Sequence, residues 1–317
     1  MSYDAIQQYY GETLAGTGDL KTGACCSPDA MPAYLRQWLG ELPREVTDRF
    51  YGCGSPIPAA LEGATVLDLG CGTGRDAFLV SRLVGASGRV IGLDNLDFRD
   101  GHIEDLGAAG IADASVDVVI SNCVLNLSAD KARVFAEILR VLKPGGELYF
   151  SDIYADRRIP AALLEDPVLR GECLSGALYM EDFRRLLLAH GVPDYRITAR
   201  SPVPLLDPQV EARIGMVAFE SITIRAFKLA LEDRCEDFGQ VATYRGSIAH
   251  HPHHFDLDDH HRFERERPML VCGNTAAMLA QTRYAAHFEV TARRGHFGLF
   301  DCAPPASNDS GLSGACC

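Results

Sequence analysis

Between residues 65 and 153, two hydrophobic rhythms alternate along the chain. Residues 65–69 (TVLDL), 89–93 (RVIGL), 116–120 (VDVVI) and 147–153 (ELYFSDI) are short apolar runs of the kind that form buried parallel strands. Residues 75–84 follow a glycine-rich turn and read as a helix. Residues 130–142 read as a second helix, with Val134, Phe135, Ile138, Leu139 and Leu142 on one face. Pro144-Gly145-Gly146 stops that helix before the next strand. Repeated β-α units predict a doubly wound, Rossmann-like α/β sheet.

One unit is too short for this scheme. No helix fits between Asp94 and a weak strand at residues 96–98, whereas a parallel crossover needs roughly 10–12 residues or more. A lost crossover helix would uncover one face of the sheet, so the gap reads as a segment missing from the sequence. After about residue 198 the rhythm changes. Residues 221–227 and 240–245 read as strands and residues 274–279 as a short helix, which predicts a smaller α+β region. The division is therefore a polar, partly helical arm (residues 1–52), a central domain (53–200), and a C-terminal region (201–317) ending in a Pro/Ser/Gly-rich tail. The arm carries an amphipathic stretch at residues 34–39.

Charge narrows the partners. The net charge is −13 with no basic run to track a phosphate backbone, which argues against nucleic acid and anionic membrane. No apolar run is long enough to span a bilayer and the N-terminus lacks a signal-peptide pattern, so a cytoplasmic monomer is expected. There are 11 cysteines, none in a C-x-x-C pair, which disfavours a zinc ribbon or finger. In a reducing compartment they are thiols suited to soft-ligand or redox chemistry.

The sharpest motif is Val66-Leu67-Asp68-Leu69-Gly70-Cys71-Gly72-Thr73-Gly74-Arg75-Asp76, a strand feeding a G-x-G-x-G turn and then a helix. Glycine turns of this kind let the backbone approach a ligand closely. Asp94 ends the second strand, where a carboxylate suits ribose hydroxyls, and Gly101-His102-Ile103-Glu104-Asp105 follows where an adenine would lie. The arrangement resembles the class I methyltransferase fold. The resemblance implies S-adenosylmethionine binding at Tyr51, Asp68, Gly70, Cys71, Gly72, Gly74, Arg75, Asp94, Ile103, Glu104 and Asn122.

Four cysteine motifs resemble those of the arsenite methyltransferase family: Lys21-Thr22-Gly23-Ala24-Cys25-Cys26, Tyr51-Gly52-Cys53-Gly54, Ser121-Asn122-Cys123-Val124 and Gly171-Glu172-Cys173-Leu174-Ser175-Gly176-Ala177. The likeness runs from the arm to about residue 200 and continues more weakly beyond. It implies that Cys53, Cys123 and Cys173 hold trivalent arsenic, as arsenite or a methylated arsenical. It also implies that Cys25 forms a disulfide with Cys53, reduced by glutathione or thioredoxin, and that the activity detoxifies arsenic. Soft thiolates select a soft centre, and loops at the carboxyl edge of an open α/β sheet are where ligands bind. Two other readings compete. An organic acceptor would require an acid–base residue and its pH signature, and a non-catalytic thiol protein would bind arsenite without producing methylated arsenic.

The remaining candidates read as structural. Cys71 fits a small packing residue within the glycine turn, and Cys235, Cys272 and Cys302 belong to no motif. Cys316-Cys317 is a vicinal pair that either captures arsenite or is idle. His250, His251, His253, His254, His260 and His261, with Asp256, Asp258 and Asp259, suggest a solvated turn more than a metal site.

Overall fold

The computed structural model describes Tyr9, Leu14, Asp19, Leu20, Thr22, residues 31–91, Asp97, Arg99 and residues 101–302. Its centre is a seven-stranded sheet in the order β2-β1-β3-β4-β7-β6, with the short β5 pairing β4. Strands β1 (Thr65–Leu69), β2 (Arg89–Ile91), β3 (Val116–Asn122), β4 (Leu142–Ala155) and β5 (Leu178–Tyr179) run parallel. Strands β6 (Tyr195–Pro202) and β7 (Phe219–Phe227) complete the sheet in antiparallel pairing.

Helices cover the sheet: α1 (Ala33–Leu39), α2 (Arg75–Val84), α3 (Lys131–Val141), α4 (Pro167–Gly171), α5 (Met180–Ala189) and α6 (Pro208–Ile214). The α3 side chains Val134, Phe135 and Ile138 are buried against Val119, Leu148 and Phe150 of the sheet. Asp130 caps this helix by accepting from the Arg133 backbone at 3.0 Å, and helical structure ends at Val141, before the Pro144-Gly145-Gly146 turn. The doubly wound α/β sheet matches the sequence expectation. The short crossover after Asp94 lies outside the described residues.

One expected boundary moves. The sequence pattern puts the strand near residues 221–227 in the smaller region, yet β7 sits between β4 and β6 in the main sheet. Strand neighbours are set by packing, and Ile222, Ile224 and Ala226 complete the apolar core against β4 and β6. The C-terminal region beyond β7 contains β8 (Glu236–Asp237), β9 (Gln240–Tyr244), β10 (His254–Asp256), β11 (Arg262–Glu264), β12 (Pro268–Val271), α7 (Gly273–Ala280), β13 (Phe288–Val290) and β14 (Gly298–Leu299). It has its own core, including Tyr244, Phe255, Phe263, Met278 and Tyr284, with Phe227 of β7 packed into it. A buried ion pair joins this region to the sheet: Arg225 of β7 donates to Glu147 of β4 at 2.8 Å, to Tyr284 Oη at 2.9 Å and to the Leu257 carbonyl at 2.6 Å. Among the described residues, no helix is long and apolar enough to cross a membrane.

Candidate active site

The carboxyl end of β1 opens on a cavity of about 760 Å³, a size suited to a cofactor. At Gly70 the backbone turns with φ +73°, and a Cβ there would lie 2.5 Å from a Val124 methyl. Tyr51, Asp68, Gly70, Cys71, Gly72, Ile103 and Asn122 line the cavity, all of them expected from the sequence. Asp68 is half-buried, and its Oδ2 is buried with no hydrogen-bond partner. Burial first, then neighbouring Asp76, pushes its carboxyl well above the usual range. Glu104 Oε1 accepts from Ser128 Oγ while Oε2 is buried and unmatched. Unmatched buried acceptors beside an open cavity suit a ligand bearing hydroxyl, amine or ammonium donors.

Three expected cofactor residues stand outside the cavity lining. Gly74 caps the start of α2 with φ 82°. Arg75 turns away: it donates to Asp76 Oδ1 at 2.8 and 2.9 Å, and its guanidinium stacks 3.0 Å over the Phe50 ring. Arg75 therefore braces the cavity wall, because Phe50 and Asp76 satisfy its planar charge there. Glu104 is anchored to Ser128. Asp94 and Cys25 lie outside the described residues. Cys71 is half-buried in the wall, and burial, reinforced by Asp68, pushes its thiol up to about 11.

Three loops carry Cys53, Cys123 and Cys173 into one buried apolar cluster with Ile153, Leu169 and Phe219. Cys123 also lines the cavity beside Asp68. The Cys173 thiol donates to the Cys123 carbonyl at 3.4 Å, and Cys53 and Cys123 are joined by a disulfide with their Cα atoms 6.0 Å apart. The disulfide implied by the resemblance was Cys25–Cys53. Cys25 lies outside the described residues, and the Cys53–Cys123 bond forms where the end of β3 holds the Cys53 loop directly against Cys123. That hold is Asn122: its Oδ1 accepts from the Cys53 and Gly54 backbone at 3.0 and 3.2 Å, and its Nδ2 donates to the Gly54 carbonyl and to Asp76, both at 2.9 Å.

Cys123 and Cys173 both have left-handed backbones, with φ 56° and 58°. Such conformations cost on the order of 1–3 kcal/mol for residues other than glycine and persist only where the surroundings enforce them. Here the enforcement is visible. The Cys123 amide donates to the Ser151 carbonyl at 2.9 Å. Just beyond it, the Asn126 amide donates to Asp152 at 3.0 Å and its side chain to the Ile153 carbonyl at 2.6 Å. Burial pushes the Asp152 carboxyl up to about 7. Lys131 bonds the Asn126 and Ser128 carbonyls at 3.3 and 3.0 Å, and burial lowers it to about 8. On the Cys173 loop, Glu172 is buried and accepts from Tyr9 Oη at 2.8 Å and Thr22 Oγ1 at 3.1 Å, which docks the arm.

Comparison with known proteins fits this geometry. A methyltransferase domain matches residues 60–96 and 92–191, and an arsenite methyltransferase C-terminal domain matches residues 238–309. The chain is 48% identical over 324 residues to the arsenite methyltransferase of Aquipseudomonas alcaligenes, covering 94% of both chains. The chain belongs to the arsenite methyltransferase family. It is 36% identical over 312 residues to the Homo sapiens arsenite methyltransferase, covering 89% of this chain and 82% of the relative. The X-ray crystal structure of an arsenic (III) S-adenosylmethionine methyltransferase from Chlamydomonas reinhardtii matches with a TM-score of 0.81 and 46% identity, over 86% of this chain and 100% of that one.

Within this arsenite methyltransferase fold, several supporting residues escaped the sequence reading. Asn126, Lys131 and Asp152 gave no signal because their roles arise from packing around a loop. Glu172 stood in a quoted motif, but nothing in its spacing pointed to Tyr9 or Thr22. The histidine cluster divides: His250, His253, Asp256, Asp259 and His260 are exposed, as in a solvated turn, whereas two of its members are interior. Asp258 and His261 are buried, and Asp258 accepts from Arg196 at 3.0 Å and lies 2.8 Å from His261 Nδ1. His250 is elsewhere, stacked 4.1 Å from the Tyr34 ring. The Asp258 group is an interior ion-pair network, satisfied by Arg196. Cys316-Cys317 lies outside the described residues.

Proposed function

We propose that this chain transfers methyl groups from S-adenosylmethionine to trivalent arsenic held by Cys53, Cys123 and Cys173. The carrying observation is the meeting of these three buried cysteines in one cluster, with Cys123 also lining a cavity in which Asp68 Oδ2 lacks a partner. When bound, S-adenosylmethionine supplies a methyl group activated by its sulfonium. Asp68 offers it acceptor oxygens, and the walls at Gly70 and Ile103 exclude water. Each thiol that bonds arsenite replaces a hydroxyl, released as water, and three thiolates leave the arsenic lone pair pointing away from the sulfurs. Holding that lone pair toward the donor provides the acceleration by positioning, and no general base is needed.

Methylation leaves arsenic two electrons short of the trivalent state. Two cysteine thiols supply those electrons as they close a disulfide, and Cys53–Cys123 lies within reach of that bond. Cys25 exchanges with this pair, and an external thiol reductant, glutathione or thioredoxin, restores the dithiol. The substrates are arsenite and methylated arsenicals, the working unit is a cytoplasmic monomer, and the activity detoxifies arsenic. The arm of residues 1–52 serves the catalytic domain of residues 53–200, which β7 completes from the C-terminal stretch 201–317.

Replacing Cys173 by serine tests the reading. Methylated arsenic, identified by mass after incubation with arsenite, S-adenosylmethionine and glutathione, should fall by more than about 100-fold. Affinity for S-adenosylmethionine should be unchanged. Methylation that survives the substitution, or an equal loss of cofactor affinity, would defeat the assignment.

A further inference from the structure

Three cysteines that share no sequence motif meet in the C-terminal region. The sulfur atoms of Cys235, Cys272 and Cys302 all lie within 4.8 Å of one another, and none of the three is in a disulfide. Secondary structure brings them together. Strand β14 pairs antiparallel with β8, Gly298 opposite Asp237 and Leu299 opposite Glu236, and the Phe300 amide donates to the Cys235 carbonyl at 2.7 Å. This short ladder sets Cys302 beside Cys235. Cys272 closes the group from the start of α7, where its sulfur accepts from the Thr275 amide at 3.4 Å. Cys272 is fully buried, and Cys235 and Cys302 are half-buried, so the group has a closed floor and an accessible mouth.

A cation faces the group. The Arg196 guanidinium lies 4.0 Å from the Cys272 sulfur and is itself held by Asp194 at 2.8 Å and Asp258 at 3.0 Å. The interior Asp258 network therefore has a purpose beyond stability: it fixes the cation that faces the buried sulfur.

We propose that Cys235, Cys272 and Cys302 form a second binding site for trivalent arsenic, apart from the site of methyl transfer. It stands beside Arg196 at the β6 edge of the sheet, whereas Cys123 stands at the end of β3. Three converging thiols match the trigonal pyramid of trivalent arsenic. Structural zinc takes four ligands, and among the described residues no fourth cysteine, histidine or carboxylate joins the group. A guanidinium beside the pocket also opposes a divalent cation, but not neutral arsenous acid. Each As–S bond that forms replaces an As–O bond, and the thiol proton leaves with the hydroxyl as water. Three thiols release three waters, arsenic stays trivalent, and no electrons are exchanged.

Alkylation of the reduced full-length protein with iodoacetamide, followed by peptide mass mapping, tests the site. Sodium arsenite should slow alkylation of Cys235 and Cys302 together, in the wild type and equally in Cys173→Ser. In Cys272→Ser, where serine keeps the helix cap, that protection should be lost at arsenite concentrations that protect the parent. Methylation turnover should persist in Cys272→Ser, so this proposal and the methylation reading fail separately. Equal alkylation rates at Cys235 and Cys302 with and without arsenite would overturn it. So would protection by zinc at concentrations below those of arsenite.

Discussion

Asn122 shows how much one side chain can organise. It was legible as a member of the Ser-Asn-Cys-Val motif, but its part in clamping the Cys53 loop became visible only with its four hydrogen bonds to Cys53, Gly54 and Asp76. Asn122→Ala leaves these groups unmatched in a partly buried setting, at a cost of about 1–3 kcal/mol. The expected outcome is a lower midpoint of thermal unfolding together with slower arsenic methylation. Asn122→Asp keeps the acceptors, loses the donors and sets a carboxylate against Asp76, so it should not rescue turnover. Wild-type rates in both variants would show that the clamp is dispensable. Cys53, Cys123 and Cys173 were readable because each stands in a dense local motif. Cys235, Cys272 and Cys302 were not, since their meeting depends on a two-residue ladder and a helix cap that leave no pattern in the chain.

The elements divide in the same way. Apolar periodicity located β1, β3, α2 and α3, because each buries a repeating face and records it locally. The place of β7 between β4 and β6 depends on partners far away in sequence, so its spelling as a strand said nothing of its neighbours. Loops behave differently again, since close approach governs them. At Gly176 a Cβ would lie 2.0 Å from the Asn126 carbonyl oxygen. This contact presses the Cys173 loop onto the loop that follows Cys123. Gly176→Ala should therefore destabilise the protein by about 1–3 kcal/mol and separate the two cysteine loops. Methylation should fall while S-adenosylmethionine affinity holds, measured by turnover and by equilibrium binding of the cofactor. Unchanged turnover would mean that the loops can part without consequence.

Across the whole molecule, the C-terminal region is fastened to the sheet through a charge buried in both. Arg225 and Arg283 share Glu147, and Arg225 also reaches Tyr284 and Leu257. Removing one partner from a buried pair costs about 3–5 kcal/mol because the other charge is left behind. Arg225→Met should lower stability to denaturant by that amount and expose the C-terminal region to limited proteolysis before the central sheet is cut. Simultaneous digestion of both would argue that they open as a unit. The sequence boundary near residue 200 missed this seam because one chain segment serves both bodies: β7 gives its strand to the sheet and Phe227 to the second core.

The seat of Thr22 on Glu172 has a consequence for thiol traffic. Cys25 follows Thr22 by three positions in the sequence, and an extended chain spans at most about 3.3–3.6 Å per residue. The leash from Thr22 to Cys25 is therefore no longer than about 11 Å, and its fixed end rests on the neighbour of Cys173. For the proposed exchange of Cys25 with the Cys53–Cys123 pair, an encounter that would otherwise depend on diffusion becomes a local search at high effective concentration, and releasing the leash would slow that exchange without altering any sulfur.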